Sequence, residues 1–310
     1  REVDLVLTID RQDDPELISQ NYQHFAITPE LLSVNDACTL EPLLNPNAIA
    51  GVLKLPHGHI HPQKTTNAYL QAFERNGGTI IYEQVIDFLR QGDDVIGVQT
   101  EHNKYHSANT IVCAGGLSRS LLQQAGISVS NYFTHSQLIV TPPLDLELGT
   151  IVMPAVQQRF MLEARAIELE EESAWNPPYN EPTRIILDPG AVQFMDVSVC
   201  IGQISSIAPN PEAKLNPYAA VAQIREQVSH ILPLLEDVPG TCHSCLVAFN
   251  NHAIALVGNV EDVKGVYLFS GFTSTLVFAP VLARRFANWL TGKEDQIIEQ
   301  LQSVINIIPD

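Results

Sequence analysis

The sequence predicts an α/β fold in which strand–glycine turn–helix units form one layer and a mainly antiparallel sheet forms another. Two stretches predict the first layer. "TIVCAGGLSRSLL" (110–122) and "YLFSGF" (267–272) each bring an apolar, β-rich run to a glycine just before a helical pattern. Between residues 131 and 238 the apolar runs are short and spaced, which is typical of antiparallel strands. With 310 residues the chain can bury a core large enough for both layers.

The elements before the first glycine turn alternate between strands and helices. A helix at 63–78 ends at Gly77, which is a common helix stop. A β-branched strand at 79–89, the turn "QGDD" and a strand at 94–100 predict a hairpin. The earlier elements expected are a strand at 3–9, helices at 13–23 and 34–44, and a strand at 50–56.

The rest of the chain is expected to hold spaced strands and two helices. Pro217 opens a helix at 216–235, in the first turn, where the missing N–H costs nothing. Pro280 is expected in the first turn of the last helix, at 279–292. An acidic run followed by prolines and asparagines at 167–183 predicts a solvated loop. The strands expected here lie at 135–141, 150–154, 159–165, 183–188 and 192–203.

Charge and composition exclude several classes of protein. Lys and Arg number 17 against 35 Asp and Glu, and the net charge of -18 argues against nucleic-acid binding and against anionic membranes. The sequence contains no apolar run near the ~20 residues that a transmembrane helix needs. Five scattered cysteines do not form a disulfide framework, so a reducing cytoplasm is the expected location.

Two groups of motifs carry a resemblance to a known family. "GVLKLPHGHIHP", "YEQVIDF", "DVIGVQT" and "VCAGGLS" follow one another between residues 51 and 118. "ALVGNVEDVKGVYLFSGFTSTLVFAP" occupies residues 255–280. In content, order and spacing they resemble the D-amino-acid oxidase superfamily of FAD-dependent oxidoreductases, which includes glycine oxidase and sarcosine oxidase.

The resemblance implies a partial FAD/NAD(P)-binding Rossmann-like domain interleaved with the antiparallel sheet of a substrate domain. The flavin-type domain would comprise 57–130 and 239–310, and the substrate-type domain 1–56 and 131–238. The family's first unit should carry G-x-G-x-x-G, yet no two glycines stand two positions apart in this sequence. We therefore expect that the N-terminal βαβ unit is missing, either because the chain is a fragment or because a separate chain supplies the unit.

The resemblance also assigns residues near the cofactor. Val85 matches a position whose backbone faces the adenine, and the strand end at Cys113, Ala114, Gly115 and Gly116 matches the one that passes the cofactor. The turn at 271–275 matches the segment beside the isoalloxazine. Simple strand-to-helix turns are the alternative interpretation of these glycines. The implied cofactor-binding residues are Val85, Cys113, Ala114, Gly115, Gly271, Phe272, Thr273, Ser274 and Thr275.

The implied function is oxidation of a small amine or amino-acid-like substrate at a C–N bond, by hydride transfer to the flavin. Arginines that bind a substrate carboxylate in the family fall on Ser274 and Val247 here, which leaves Arg159 or Arg165 as weak substitutes or as surface residues. His243 and His252 are weak candidates for proton carriers or are structural. The alternative is a non-catalytic relative that binds a ligand or partner.

Two further patterns were weighed as metal sites. His57, His59 and His61 would share one face of a strand, but Pro56 and Pro62 frame them as a loop. "CHSC" (242–245) has C-x-x-C spacing without a second ligand pair, so buried, inert cysteines are the better interpretation. The sequence therefore predicts no metal.

Overall fold

The computed structural model describes residues 2–168, 185–250, 252, 254–260 and 263–305. Most of the acidic and proline-rich stretch predicted at 167–183 lies outside the described residues.

The described residues form both helices and strands along the chain. The helices are α1 (Pro15–Gln20), α2 (Val34–Leu40), α3 (Pro62–Arg75), α4 (Ser118–Gln124), α5 (Gln158–Glu168), α6 (Pro217–Ile231), α7 (Thr275–Leu290) and α8 (Gln296–Ser303). The strands are β1 (Glu2–Asp10), β2 (Glu30–Leu32), β3 (Ile49–Gly58), β4 (Val85–Gln91), β5 (Asp94–Thr100), β6 (Lys104–His106), β7 (Thr110–Val112), β8 (Asn131–Val140), β9 (Ile151–Pro154), β10 (Ile185–Gln193), β11 (Val199–Ser206), β12 (Thr241–Asn250), β13 (Leu256–Asn259) and β14 (Val266–Ser270). None of the described helices is both long and apolar enough to span a membrane.

An eight-stranded sheet forms the larger part of the molecule. Its order is β12-β8-β11-β10-β9-β1-β3-β2, and all neighbours are antiparallel except β1 and β9. One face carries the main core, in which Ile139, Val152 and Ile201 pack with Ile224 and Val228 of α6. Because side chains alternate along a strand, the neighbours of these core residues point to the opposite face, which α6 does not cover.

The two glycine-turn units meet in a separate three-stranded sheet. Its order is β13-β14-β7, and β7 runs parallel to β14 with Val112 beside Leu268. The sequence predicts this neighbourhood of two segments about 150 residues apart, and the pairing confirms it. The hairpin β4–β5 adds β6 in a third sheet, and Phe88 and Val95 share an apolar cluster with Val112, Leu122 and Leu268.

Residues 159–165, predicted as a strand, are helical in α5. Asp188 accepts hydrogen bonds from the backbone N–H groups of Gln158 (2.7 Å) and Arg159 (3.0 Å) and so caps the start of the helix. Leu162 and Ala166, four residues apart on one helix face, pack near Phe249. Contacts distant in sequence therefore decide the local structure.

Two boundaries also differ from the prediction. Helix α7 begins at Thr275, so Pro280 lies inside the helix and not in its first turn. The first turn of α7 consists of exposed, mainly apolar residues, some of them β-branched or aromatic, and these residue types do not predict the start of a helix. Strand β12 pairs with β8 along its whole length, so the large sheet continues to Asn250 and does not stop at residue 238. Helix α6 packs across the sheet and returns the chain to the free edge of β8, which explains the extra strand.

Candidate active site

The two glycine turns follow parallel strands at one edge of their sheet. Gly115 opens a single 3-10 turn after β7 with φ +55°, and Gly271 follows β14 with φ +73°. A Cβ on Gly115 would meet no atom within 4 Å, whereas a Cβ on Gly271 would lie 2.7 Å from Nδ2 of Asn250. Gly271 is therefore packed against the large sheet, while Gly115 borders open space.

Hydrogen bonds tie the first turn to its neighbours. The Gly115 carbonyl accepts from the Ser270 hydroxyl at 3.0 Å and from the Asn131 side-chain amide at 2.9 Å. Ser118 in α4 donates to the Ser270 hydroxyl at 3.1 Å. Ser270 at the end of β14 and Asn131 at the start of β8 thus both donate to the Gly115 carbonyl.

A second asparagine ties the other turn to the large sheet. Asn250, which is paired with Asn131 in the β8–β12 register, donates from its side chain to the Gly271 carbonyl at 3.3 Å. Its Oδ1 accepts from the backbone N–H of His252 at 2.7 Å. Asn131 and Asn250 are both buried. Neither asparagine is recognisable from the sequence, because each stands at the end of a strand and the pairing of the two strands is set by the tertiary fold.

Helix α7 starts four residues beyond Gly271. Its N-cap, Ser274, makes no side-chain capping hydrogen bond, and the Thr275 hydroxyl donates to the Phe272 carbonyl at 3.3 Å. The first N–H groups of a helix have no partner inside the helix and form a positive end. Leu276, Val277 and Phe278 in this turn are exposed. The start of α7 is thus open to a ligand that accepts hydrogen bonds.

The remaining predicted cofactor residues lie in different surroundings. Cys113 and Ala114 are exposed beside Gly115, and Phe272 is buried beside Gly271. Val85 is the first residue of β4 and pairs with Thr100 in the β4–β5–β6 sheet. Within the described residues Val85 makes no hydrogen bond to either glycine turn, so its role stays a prediction.

Of the two candidate histidines, only His252 lies at this junction. It is half-buried, burial lowers the pKa of its imidazole, and its Nε2 has no hydrogen-bond partner among the described residues. His243 is exposed on β12, with Nε2 3.0 Å from the Thr241 hydroxyl. It lies seven residues from Asn250, which is about 23 Å along an extended strand.

Arg159 lies on α5, and the strand expected for it is not formed. Its guanidinium donates to Oε1 of Glu163 at 2.8 Å, and the side chains of the pair are 12% and 6% exposed. Thr134 donates to the same oxygen at 2.9 Å. Burial raises the pKa of the Glu163 carboxyl, and the facing Arg159 opposes that rise. Arg165, the other arginine weighed for this role, is exposed.

A cavity of about 230 Å³ lies on the sheet face that α6 leaves uncovered. Its walls are largely apolar, and Leu138, Met153 and Cys200 alternate with core residues of the opposite face. The charged residues among its described lining are Arg159 and Asp188. Apolar walls with a few polar groups at one side are typical of small-molecule sites.

The residues of the two motifs lie on strands and at a helix start. His57 lies in β3 and His61 caps α3, with its Nδ1 3.5 Å from the N–H of Lys64. Cys242 faces the core under α6, so Cys245, three residues on, points to the other face and is exposed, not buried as predicted. Among the described residues no three His, Cys, Asp or Glu side chains are arranged to hold a metal.

Parallel strands that end in glycine turns next to an uncapped helix N-terminus are how α/β proteins bind nucleotide cofactors. Here they are joined to a large sheet that carries an apolar cavity, an arrangement typical of cofactor-dependent enzymes. Residues 4–289 match the family model for FAD dependent oxidoreductase (DAO). The chain therefore belongs to the DAO family of FAD-dependent oxidoreductases.

Individual relatives agree with this assignment. The chain is 25% identical over 257 residues to 4-methylaminobutanoate oxidase (formaldehyde-forming) of Paenarthrobacter nicotinovorans, covering 81% of this chain and 29% of the relative. It is 26% identical to glycine oxidase of Pseudomonas aeruginosa, covering 68% of this chain and 49% of the relative. The structure of glycine oxidase from Bacillus cereus superposes with a TM-score of 0.75 at 17% identity, covering 96% of this chain and 76% of that one. The chain thus spans less than half of either curated relative.

FAD is the cofactor of this family, and the described residues fit part of it. The free N–H groups at the start of α7 suit the carbonyl edge of the isoalloxazine, and the open space beside Gly115 suits close backbone approach. The sequence carries no G-x-G to cradle the pyrophosphate. The chain therefore fits the flavin end of the cofactor better than its phosphate end.

Proposed function

We propose that this chain forms the substrate layer and the flavin-end contacts of an oxidoreductase that oxidises an amine or amino-acid-like C–N bond. The observation that carries the proposal is the junction in which Asn131 and Asn250 bind the carbonyls of Gly115 and Gly271. Through it the sheet that bears the cavity is fixed to both turns that match the family's flavin contacts.

In this proposal the residues of the chain bind and orient, and the cofactor supplies the redox chemistry. FAD, when bound, would supply the acceptor for the hydride that leaves the carbon next to the substrate nitrogen. The N–H donors and the positive helix end at the start of α7 would hold the carbonyl edge of the isoalloxazine and would stabilise negative charge there. The unpaired Nε2 of His252 is a candidate site to hold a proton at the junction.

The cavity on the uncovered face is the proposed substrate site. Its apolar walls exclude water from the reacting atoms and hold the substrate body by contact. Arg159 and Asp188 at its side would orient polar groups of the substrate. Arg159 would thus position the substrate. Its ion pair with Glu163 limits which substrate groups it can bind.

We further propose that a G-x-G-x-x-G-bearing βαβ unit, from outside these residues, completes the cofactor site. Helix α3 has no buried residue, although its Tyr69, Leu70 and Phe73 are large and apolar. Ile111 in the centre of β7 is 42% exposed, and β7 pairs on one side only within the described sheets. An exposed apolar surface of this kind marks an interface.

A reducing compartment such as the cytoplasm is proposed as the location. The support is that all five cysteines are unpaired. Fractionation of expressing cells tests it, and recovery from an oxidising compartment would contradict it.

The test of the proposed function is the colour of the protein expressed with its whole reading frame. Oxidised flavin absorbs near about 370 and 450 nm, so the purified protein should be yellow or become yellow with added FAD. Thr275→Pro removes one free N–H at the first position of α7, where proline is tolerated, and should lower FAD affinity about tenfold.

Thr275→Ala keeps that N–H and is the matched control, with thermal unfolding as the check on folding. A colourless protein that takes up no FAD would sink the enzyme proposal. It would favour the alternative, a non-catalytic relative that binds a ligand through the large sheet. The replacement of the family's arginines by Ser274 and Val247 also supports that alternative.

A further inference from the structure

The cavity on the large sheet carries more negative than positive charge beside it. Asp188 is 8% exposed and Glu163 is 4% exposed, and both face the only arginine among the described lining residues, Arg159. Asp188 accepts two backbone N–H bonds, and Glu163 accepts from Arg159 and Thr134. Burial raises the pKa of both carboxyls, but each only accepts hydrogen bonds and lies beside Arg159, whose charge opposes that rise and favours the ionised forms. Two carboxylates therefore surround one guanidinium.

Arg159 is for this reason a poor anchor for a substrate carboxylate. A carboxylate that took the place of Glu163 would displace a buried partner at 2.8 Å on the same helix, four residues away. Breaking a buried ion pair leaves an uncompensated charge and is strongly unfavourable. A carboxylate that left the pair intact would face a net negative wall.

A protonated amine meets the opposite conditions. The residual negative charge attracts it, and the apolar wall of Leu138, Met153 and Val192 accepts an alkyl body. We infer that this cavity selects amines with an apolar body and no carboxylate, and that the Arg159–Glu163–Asp188 cluster sets the selection. The inference rests on the proposed function only in taking the cavity as the substrate site.

Two probes that differ at one end test this inference. N-methylbutylamine and 4-methylaminobutanoate share the methylamino group and the three following methylenes, and differ in a methyl against a carboxylate. Calorimetric titration of the whole-frame protein should show at least about tenfold tighter binding of N-methylbutylamine, a difference of about 1.4 kcal/mol. Binding that is equal, or tighter for the carboxylate, would overturn the inference.

Glu163→Gln tests the cluster directly. It frees the Arg159 charge, so binding of 4-methylaminobutanoate should strengthen and the gap between the probes should close by at least about tenfold. Asp295→Asn, which removes the charge from the partly buried ion pair with Arg285 outside the cavity, is the matched control and should keep the gap. An unchanged gap in a folded Glu163→Gln protein would overturn the inference.

Asp188→Asn serves where Glu163→Gln fails to fold. Asparagine is as good an N-cap as aspartate, so α5 should remain and only the charge is lost. N-methylbutylamine should then bind about tenfold more weakly, and unchanged binding contradicts the inference. The two proposals fail differently. A yellow protein without the selectivity overturns the charge inference alone, and a colourless protein with it overturns the enzyme proposal alone.

Discussion

At the residue scale, Asn131 and Asn250 fix the positions of the two glycine turns, which the glycines alone cannot do. A glycine with positive φ turns the chain, but the turn has no fixed position until its carbonyl is held. Here the carbonyl of Gly115 is held by Ser270 and Asn131, and the carbonyl of Gly271 by Asn250. The two turns are therefore positioned by side chains of other elements.

Gly271→Ala and Gly115→Ala form a matched pair for this scale. Both residues have positive φ, so each alanine costs about 1–2 kcal/mol of unfolding free energy. Only at Gly271 does the added Cβ meet crowding, 2.7 Å from Asn250 Nδ2. We expect Gly271→Ala to be at least about 1 kcal/mol more destabilising in urea unfolding. Equal losses would show that the junction relaxes around the methyl group.

The local sequence shows the glycine turns but not the residues that hold them. "AGG" and "SGF" announce turns because glycine is the residue that positive φ requires. Nothing near Asn131 or Asn250 separates a buried, bonded asparagine from a loop residue, since their function depends on a register set by β8 and β12. The charge cluster of Arg159 was hidden for the same reason, because Asp188 is distant in sequence.

At the scale of elements, β8 is the strand to which the other parts attach. It pairs with β12 and β11, and His135 in its centre is buried, with Nε2 3.2 Å from the Ala208 carbonyl and 3.1 Å from the Asn210 carbonyl. These contacts tie the strand to the segment that leads from β11 towards α6. Burial lowers the pKa of His135, so the neutral imidazole is the folded form.

His135 should make the stability of the fold depend on pH. The unfolded chain takes up this proton near pH 6.5, and the folded chain takes it up only at lower pH. The stabilising contribution is thus present above about pH 6.5 and is lost as pH falls through the folded pKa, by at most about 1.4 kcal/mol per pH unit. In urea unfolding between pH 5 and 8, His135→Gln should flatten this fall. The exposed His106→Gln is the control, and a His135→Gln curve parallel to the wild-type curve would contradict the assignment.

The strands with strong alternation and the helices with clear stops were predictable, and α5 and β12 were not. Residues 159–165 carry apolar residues that suit either a strand or one face of a helix, and Asp188 and Phe249 decide between them. Strand β12 follows a helix that the sequence shows, but the partner of a strand is settled by which sheet edge is free.

At the scale of the whole molecule, the affinity for FAD depends on which parts of the cofactor site are present. The proposed flavin-end contacts lie within these 310 residues, but the sequence has no G-x-G for a pyrophosphate cradle. Three missing charge-assisted hydrogen bonds of about 1.5–3 kcal/mol each would weaken binding by about 4.5–9 kcal/mol, or about three to six orders of magnitude.

We therefore expect these 310 residues alone to bind FAD weakly or not at all. Titration of FAD, followed by flavin fluorescence, measures it. Submicromolar binding would show that other residues of the chain hold the pyrophosphate. Adding back a G-x-G-x-x-G unit, in the same chain or as a partner, should restore tight binding and cover the apolar side chains of α3.

The paired asparagines Asn131 and Asn250 also fix the spacing between the large sheet and the glycine turns. A single residue inserted into β8 or β12 between the cavity and the junction would turn one asparagine to the opposite face, because side chains alternate along a strand. The turn that it holds would then lose its anchor. Residues added beyond Val140 or before Thr241, at the far ends of the two strands, leave the spacing intact. The shape of the molecule can therefore vary at that rim while the distance from the sheet to the glycine turns stays fixed.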